Sequence, residues 1–390
     1  MKHGLRDDGT PLRGDVACDV AIVGAGITGA LVADALSAAG LRVVVLDRHE
    51  PASGSTCAST ALLQYELDIE LVPLMALIGA TNAVRAYHLC LQSLAMLEQI
   101  ALSLGGCGFS SKSSLYLASR RAHGKRLERE AAARAEHGLP ARFITGAEVE
   151  RSYGLSSHGA ILSSAAAQVD PVRLTRALLT RACRRGARLV TGTEVRSVDI
   201  VPAGVCLHTV RGGRVRATRV VYALGYEVPP QLSREIVTLR STYALATHRI
   251  DALPAWLMHT VLWESARPYA YMRTSDDSRV IIGGEDVPFR NALWRDRLLP
   301  SRIDRLEHRL HDLLPGVRCE TAFAWAGTFG ETADGLPCIG SHSQYPGALF
   351  VLGYGGNGIT FGAIAARIVC DAVLERPNED AHLFALERGG

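Results

Sequence analysis

"AIVGAGITGA", residues 21–30, sets Gly24, Gly26 and Gly29 in G-x-G-x-x-G spacing. Alone the spacing is weak evidence, because a chain with 38 glycines in 390 residues meets it by chance. Its surroundings decide. Asp19 leads into Val20-Ala21-Ile22-Val23, a short apolar run suited to a buried parallel strand. After the glycines, Ile27, Leu31, Ala35 and Leu36 recur at near-helical spacing, and Gly40 stands where such a helix ends. The next run, "LRVVVLD" (41–47), is a second apolar strand that closes on Asp47, twenty-three residues after Gly24. Strand, glycine turn, helix, strand and terminal carboxylate together predict a dinucleotide cradle. The helix N-terminus would hold a pyrophosphate, and Asp47 would accept ribose hydroxyls.

The whole chain is consistent with a folded, globular protein of two domains. Hydrophobic residues make up 48% and charged residues 21%, far from a disordered composition. A net charge of +3, with no basic block interleaved with aromatics, argues against nucleic-acid binding. The nine cysteines are scattered and form no C-x-x-C pair, so neither a metal site nor a disulfide framework is expected, and a reducing, cytoplasmic compartment fits. Residues 1–14 lack the apolar core of a secretory signal and read as a loose tail. The apolar stretch from Phe350 to Leu374 contains five glycines and Arg367, a poor membrane span.

Downstream segments separate FAD from NAD. "VDPVRLTRALLTRACRRGARLVTGTEVRSVD" (169–199) gives a helix, a glycine turn, strand "ARLV" and a further strand around Val195, and "RVVYALGY" (219–226) adds a buried strand ending at Gly225. With "GSTCASTALLQ" (54–64), "ETADGLPCIG" (331–340) and "VLGYGGNGITFG" (351–362), these motifs resemble the D-amino-acid oxidase type of FAD-dependent oxidoreductase in their order. That family includes glycine, sarcosine and gamma-glutamylputrescine oxidases. The resemblance implies an α/β fold: a glutathione-reductase-like, Rossmann-type FAD domain and a second α+β substrate domain built on an antiparallel sheet.

It also implies a role for each matching residue. Gly24, Gly26 and Gly29, with Ile27 and Thr28 opening the helix, would admit the pyrophosphate; Asp47 would bind the ribose, with Arg48 near the adenine. Ser55, Thr56, Cys57 and Ala58 would run along the cofactor toward its ring, Val195 would set its backbone against the adenine, and Gly225 would close a neighbouring strand. Gly353, Gly355, Gly356, Asn357, Gly358, Ile359 and Thr360 would form the loop and helix start facing the isoalloxazine, where a helix N-terminus favours negative charge on the reduced ring. Relatives that tether flavin do so through a histidine in the "GSTCAST" loop; that histidine is absent here, so noncovalent FAD is expected, with a Cys57 thioether as the alternative.

The expected reaction is hydride transfer from the carbon beside an amine to flavin N5, followed by hydrolysis of the imine. Oxygen or another acceptor would reoxidise the cofactor. Amino-acid-oxidising relatives carry an arginine in the segment that here reads "WAGTFGETADGLP", where it would fork onto an α-carboxylate; this chain has Phe329 and Gly330. The departure points to an amine or N-substituted substrate without an α-carboxylate, with Arg273 as the best substitute clamp should one be needed. Glu331 is a candidate for holding a cationic amine. Tyr269 and Tyr271 alternate on "YAYMRT" and would face one side of a sheet over the pocket; Trp263 and Trp325 read as core or pocket wall. Two other readings are an FAD-dependent dehydrogenase of a hydroxy substrate, like the glycerol-phosphate dehydrogenase relatives, and a noncatalytic flavoprotein subunit.

The motifs divide the chain into a discontinuous FAD domain (15–80, 150–228 and 318–378) and a substrate domain (81–149 and 229–317). The segment "SRRAHGKRLEREAAARAEHG" (119–138) reads as a solvated helix.

Overall fold

In a computed structural model of the chain, residues 12, 14–229, 232 and 236–388 are described. The expected N-terminal tail lies outside them apart from Leu12, which is buried, and Gly14.

The β-branched runs assemble as parallel neighbours. Strands β1 (Asp15–Val23), β2 (Val43–Leu46), β7 (Arg188–Val190), β10 (Arg214–Tyr222) and β17 (Ala348–Leu352) form one parallel array in the order β17-β10-β1-β2-β7. β16 (Cys338–Ser341) extends it antiparallel to β17, and the hairpin of β8 (Val195–Val201) and β9 (Gly204–Thr209) adds to β10. Helix α1 (Ile27–Ala38) lies against α7 (Pro171–Arg184) and α9 (Gly358–Val373) on one face of this sheet. It is buried nearly all round, which explains its run of Ala, Leu and Val in place of a polar stripe. α7 begins where Asp170 accepts the N–H groups of Val172 and Arg173, with Pro171 in its first turn.

The second sheet runs β15-β11-β14-β13-β12-β4-β6-β3, with β5 also on β6. Its strands are β3 (Leu62–Gln64), β4 (Ser110–Leu117), β5 (Arg142–Ile144), β6 (Ala160–Gln168), β11 (Thr238–Thr247), β12 (Thr260–Glu264), β13 (Ala270–Thr274), β14 (Val280–Pro288) and β15 (Thr321–Glu331). It is antiparallel except where β4 and β12 pair in parallel. Strands β3, β6 and β15 fall inside the segments expected to form the cofactor domain, yet they pair in this second sheet. Each is a strand whose hydrogen-bond partner lies far along the chain, information that a linear pattern does not carry.

Further helices cover the two sheets: α3 (Leu71–Ile78), α4 (Ala80–Leu104), α5 (Arg121–Glu136), α6 (Gly146–Tyr153) and α8 (Ala292–Leu313). The helix expected to be solvated, α5, instead buries one face. Arg134 is fully buried, bonded at 2.7 Å to Glu130 and placed over the rings of Tyr65 and Tyr87. Glu130 in turn accepts the N–H groups of Leu71 and Val72 at 2.6 and 2.9 Å, capping α3. Charge density alone misreads a helix whose ionic residues have built partners.

Candidate active site

The cradle forms where β1 runs into α1. Gly24 takes a φ of 114°, and a Cβ there would stand 2.3 Å from the Ala223 carbonyl oxygen. A Cβ on Gly29 would stand 1.9 Å from the oxygen of Gly24, so the turn closes this tightly only with glycine. The Ile27 N–H donates to Thr56 Oγ1 at 3.0 Å, which fixes the 54–58 loop over the start of α1. Asp47, at the end of β2, accepts the Ala25 N–H on Oδ2 at 2.7 Å and the His49 N–H on Oδ1 at 2.8 Å. Arg48 is ion-paired with Glu227 across the same opening.

A cavity of about 860 Å³ runs from this cradle to the second sheet. One end is lined by Asp47, Arg48, His49, Val195, Arg196 and Gly225. Its middle passes Gly24, Gly26, Ile27, Thr28, Ser55, Thr56 and Ala58. The far end is walled by Gly355, Gly356, Asn357, Gly358 and Ile359 on one side and by Tyr269, Tyr271 and Trp263 on the other. The volume lies toward the top of the range for small-molecule sites. α9 starts there at Gly358 without a side-chain cap, so its first N–H groups and the positive end of its dipole face the cavity.

Four residues expected along the cofactor do not line the cavity, and each has a structural task. Gly29 packs against the Gly24 carbonyl, Gly353 sits under Thr332, and Thr360 is buried with its hydroxyl donating to the Gln64 carbonyl at 3.3 Å. Cys57 is exposed, with Sγ turned back on the Ser53 and Gly54 carbonyls at 3.2 and 3.1 Å, which removes the support for a thioether.

The substrate-facing expectations divide. Tyr271 lines the cavity, its hydroxyl beside that of Thr242 and its acidity pushed down by burial to a pKa of about 12. Arg273 does not reach it. Its guanidinium donates to the carbonyls of Thr60 and Thr274, and desolvation lowers its pKa to about 10. A clamp whose forks are already occupied by backbone oxygens is not free to grip a carboxylate, so Arg273 is corrected from site to scaffold. Glu331 is likewise held elsewhere, accepting Arg240 Nε at 2.6 Å outside the cavity. Trp263 is pocket wall, stacked on Tyr116 with ring centroids 3.6 Å apart, while Trp325 donates to the Ala58 carbonyl at 2.9 Å and supports the cofactor loop from behind.

Three carboxylates at the far end escaped the sequence reading: Glu66, Asp68 and Asp286. Asp68 accepts the Tyr269 hydroxyl at 3.1 Å and the Gly356 N–H at 3.0 Å, joining the tyrosine wall to the start of α9. Glu66 is buried with Oε2 unpartnered, and desolvation raises its pKa. Asp286 follows a β-bulge. Ser241 pairs with Val287 and Tyr243 with Gly284, so Glu285 and Asp286 together oppose Thr242, and Glu285 takes a φ of 58°. A bulge re-aims side chains, and non-glycine backbone in this region costs about 1–3 kcal/mol. Here the bulge sets Asp286 in the cavity wall, where its Oδ1 has no partner. The Gly283-Gly284 pair inside a strand was the available signal. A Cβ on Gly283 would strike the Tyr271 ring at 2.6 Å, so that glycine makes room for the tyrosine wall.

Comparison with known proteins gives the family. The pattern of the DAO family, described as FAD dependent oxidoreductase, matches residues 19–372. The chain belongs to this family. It is an FAD-dependent oxidoreductase, as the resemblance in the motifs implied. Glycine oxidase from Geobacillus kaustophilus (strain HTA426) is 26% identical over 386 residues, 95% of this chain and 97% of that protein. The crystal structure of glycine oxidase from Geobacillus kaustophilus matches with a TM-score of 0.80 at 25% identity, covering 96% of this chain and 100% of that one. A D-amino acid dehydrogenase from Sinorhizobium medicae (strain WSM419) is 31% identical over 228 residues, 57% of this chain and 52% of its own. No helix among the described residues is long and apolar enough to cross a membrane.

The residues present fit the family's cofactor. The glycine turn leaves no room for a Cβ, the start of α9 is uncapped toward the cavity, and Asp47 stands beside the opening where a ribose would be held.

Proposed function

We propose that this oxidoreductase oxidises the C–N bond of an amine, or of an N-substituted substrate without an α-carboxylate, with FAD held noncovalently. The observation that carries the reading is the charge of the far end of the cavity. Among the described residues, the lining arginines and histidine are Arg48, Arg196 and His49, all beside Asp47 and Val195; the far end offers carboxylates, tyrosines and Phe329. A substrate carboxylate there would lack the forked cation that holds such a group and would face like charge. Amine oxidation itself is supported by the glycine oxidase relative, which is similar along nearly its full length.

FAD, when bound, supplies the hydride acceptor. The chain's own residues would do the rest. Gly24, Gly26 and the start of α1 would bind the pyrophosphate, with Asp47 on the ribose. The N-terminus of α9 would favour negative charge on the cofactor after reduction. Tyr269, Tyr271 and Trp263 would exclude water and disfavour protonation of the reacting nitrogen, whose lone pair must be free when its carbon loses hydride. The product imine then takes up water, giving a carbonyl compound and an amine.

The test is a visible spectrum of the purified protein before and after acid precipitation, then anaerobic addition of amines and α-amino acids. Acid-released yellow colour, with bleaching by amines lacking an α-carboxylate, is expected. Bleaching by α-amino acids alone overturns the substrate reading; a flavin that no amine reduces overturns the enzymatic one in favour of a subunit role.

A further inference from the structure

Three contacts tie the start of α9 to the segment that leaves β3, and they fall on every second residue. The Gln64 carbonyl accepts the Thr360 hydroxyl at 3.3 Å, the Glu66 carbonyl accepts Asn357 Nδ2 at 2.7 Å, and Asp68 Oδ2 accepts the Gly356 N–H at 3.0 Å. Two of these acceptors are backbone; the third is a charge. Asn357 stands at the N-cap of α9, where its side chain could accept from the helix's own N–H groups, yet that side chain is turned to Glu66 and caps nothing. The acidic group that meets this loop is Asp68.

Asp68 therefore brings negative charge to the positive end of a helix dipole. The groups bonded to its carboxylate, the Gly356 N–H and the Tyr269 hydroxyl, are both neutral. Arg267 gives its Nη2 to the main-chain carbonyl of Asp68 and lays its guanidinium over the Tyr269 ring, 4.6 Å from the centroid. A Cβ on Gly355 or on Gly356 would stand 3.2 Å from Asp68 Oδ2, so the glycine loop lies directly against the carboxylate.

We infer that Asp68 is a positioning residue for the cofactor, holding residues 355–357 in place while its charge offsets the α9 dipole and lowers the electron affinity of the bound flavin. The inference rests on the reading above that the flavin ring lies beside this loop, and it adds what restrains the dipole there. A bare helix end favours the reduced ring. A cofactor that must pass its electrons on to an acceptor is served by a counterweight.

Asp68→Asn separates the charge from the contacts, because the amide oxygen can still accept the Gly356 N–H while Nδ2 donates to the Tyr269 oxygen. The test equilibrates the FAD-loaded protein anaerobically with a reference dye and reads the ratio of reduced to oxidised flavin at a fixed dye potential. In D68N that ratio should rise about tenfold, within the range for a charge at a partly buried helix end, with FAD content unchanged. For a two-electron couple this is about 30 mV. Tyr269→Phe removes one donor and leaves the carboxylate less neutralised, so the ratio should fall by about twofold. Glu331→Gln, outside the cavity, should leave it unchanged. An unchanged or lower ratio in D68N overturns the inference. So does a rise in Y269F, which would mean that loosening the loop, and not its charge, sets the potential. If D68N fails to hold FAD, Y269F decides alone: a fall supports the charge offset, and no fall overturns it. No substrate enters these measurements, so a flavin that no amine bleaches sinks the amine reading and leaves this one standing; a protein that cannot take up FAD overturns both.

Discussion

The two ends of the cavity are built from different materials. At the end proposed for the dinucleotide the working groups are mostly backbone, a glycine turn and the start of α1, beside the Asp47 side chain, whose carboxylate is already fixed by the N–H groups of Ala25 and His49. At the substrate end they are side chains from the β3–α3 connection, β11, β13, β14 and the approach to α9, and two of them, Glu66 and Asp286, each keep one buried carboxylate oxygen without a hydrogen-bond partner. The first end is satisfied before any ligand arrives; the second holds an unmet demand. A site that must take one constant cofactor is prepaid in backbone geometry, whereas a site that must choose among small molecules keeps its charges open.

The largest expected effect attacks the rigid end. Gly29→Ala puts a methyl group against the Gly24 carbonyl, so we expect loss of bound flavin together with loss of soluble protein, checked by flavin absorbance per chain. Retention of full FAD content would show that the turn is not the cradle. Asp47→Ala should be milder, weakening FAD binding by about 10- to 100-fold, the range for a hydrogen bond to a charged group. Titration of apoprotein measures it, and the ratio of activities on different substrates should not move, because Asp47 lies at the other end.

Smaller effects belong to the open end. Phe329→Arg would supply a guanidinium among the carboxylates, and we expect kcat/KM for α-amino acids to rise relative to amines by roughly tenfold. No shift in that ratio would separate Phe329 from substrate choice. The least dramatic expectation concerns pH and stability. Because Asp286 binds its proton more tightly when folded, stability is greater at acid pH and falls as pH rises from the ordinary carboxylate range through about 7. Asp286→Asn removes this loss, so at pH 8 the variant should melt about 2 °C above the wild type and at pH 4 no higher than it. A variant less stable at both pH values would show that the carboxylate contributes to the fold.

This contrast also explains what the sequence disclosed. Gly24, Gly26 and Asp47 were legible because strand, turn, helix and strand follow in order, so local periodicity and the site coincide. α9 and its glycine loop were readable for the same reason. Asp68 and Asp286 were not, since they lie more than two hundred residues apart in the sequence and come to one cavity through tertiary packing, Asp68 accepting the hydroxyl of Tyr269 just before β13, the strand that pairs with β14. Arg273 misled because strand alternation gave it the same face as Tyr271, while its depth along β13 placed it against the Thr60 carbonyl. Alternation assigns a face, and it says nothing about distance along that face.

The order of strands has one more consequence. Four times the backbone leaves one sheet for the other: after β2, after β6, after β10 and after β15. No pair of cut points therefore excises the substrate end as a cassette, and recombination with a relative would have to exchange several pieces in register at once. Point changes escape that constraint, because residues such as Phe329 and Asp286 sit on strands whose ladders need not shift. For an architecture woven in this way, new specificities are reached by single letters of sequence and seldom by exchanged blocks.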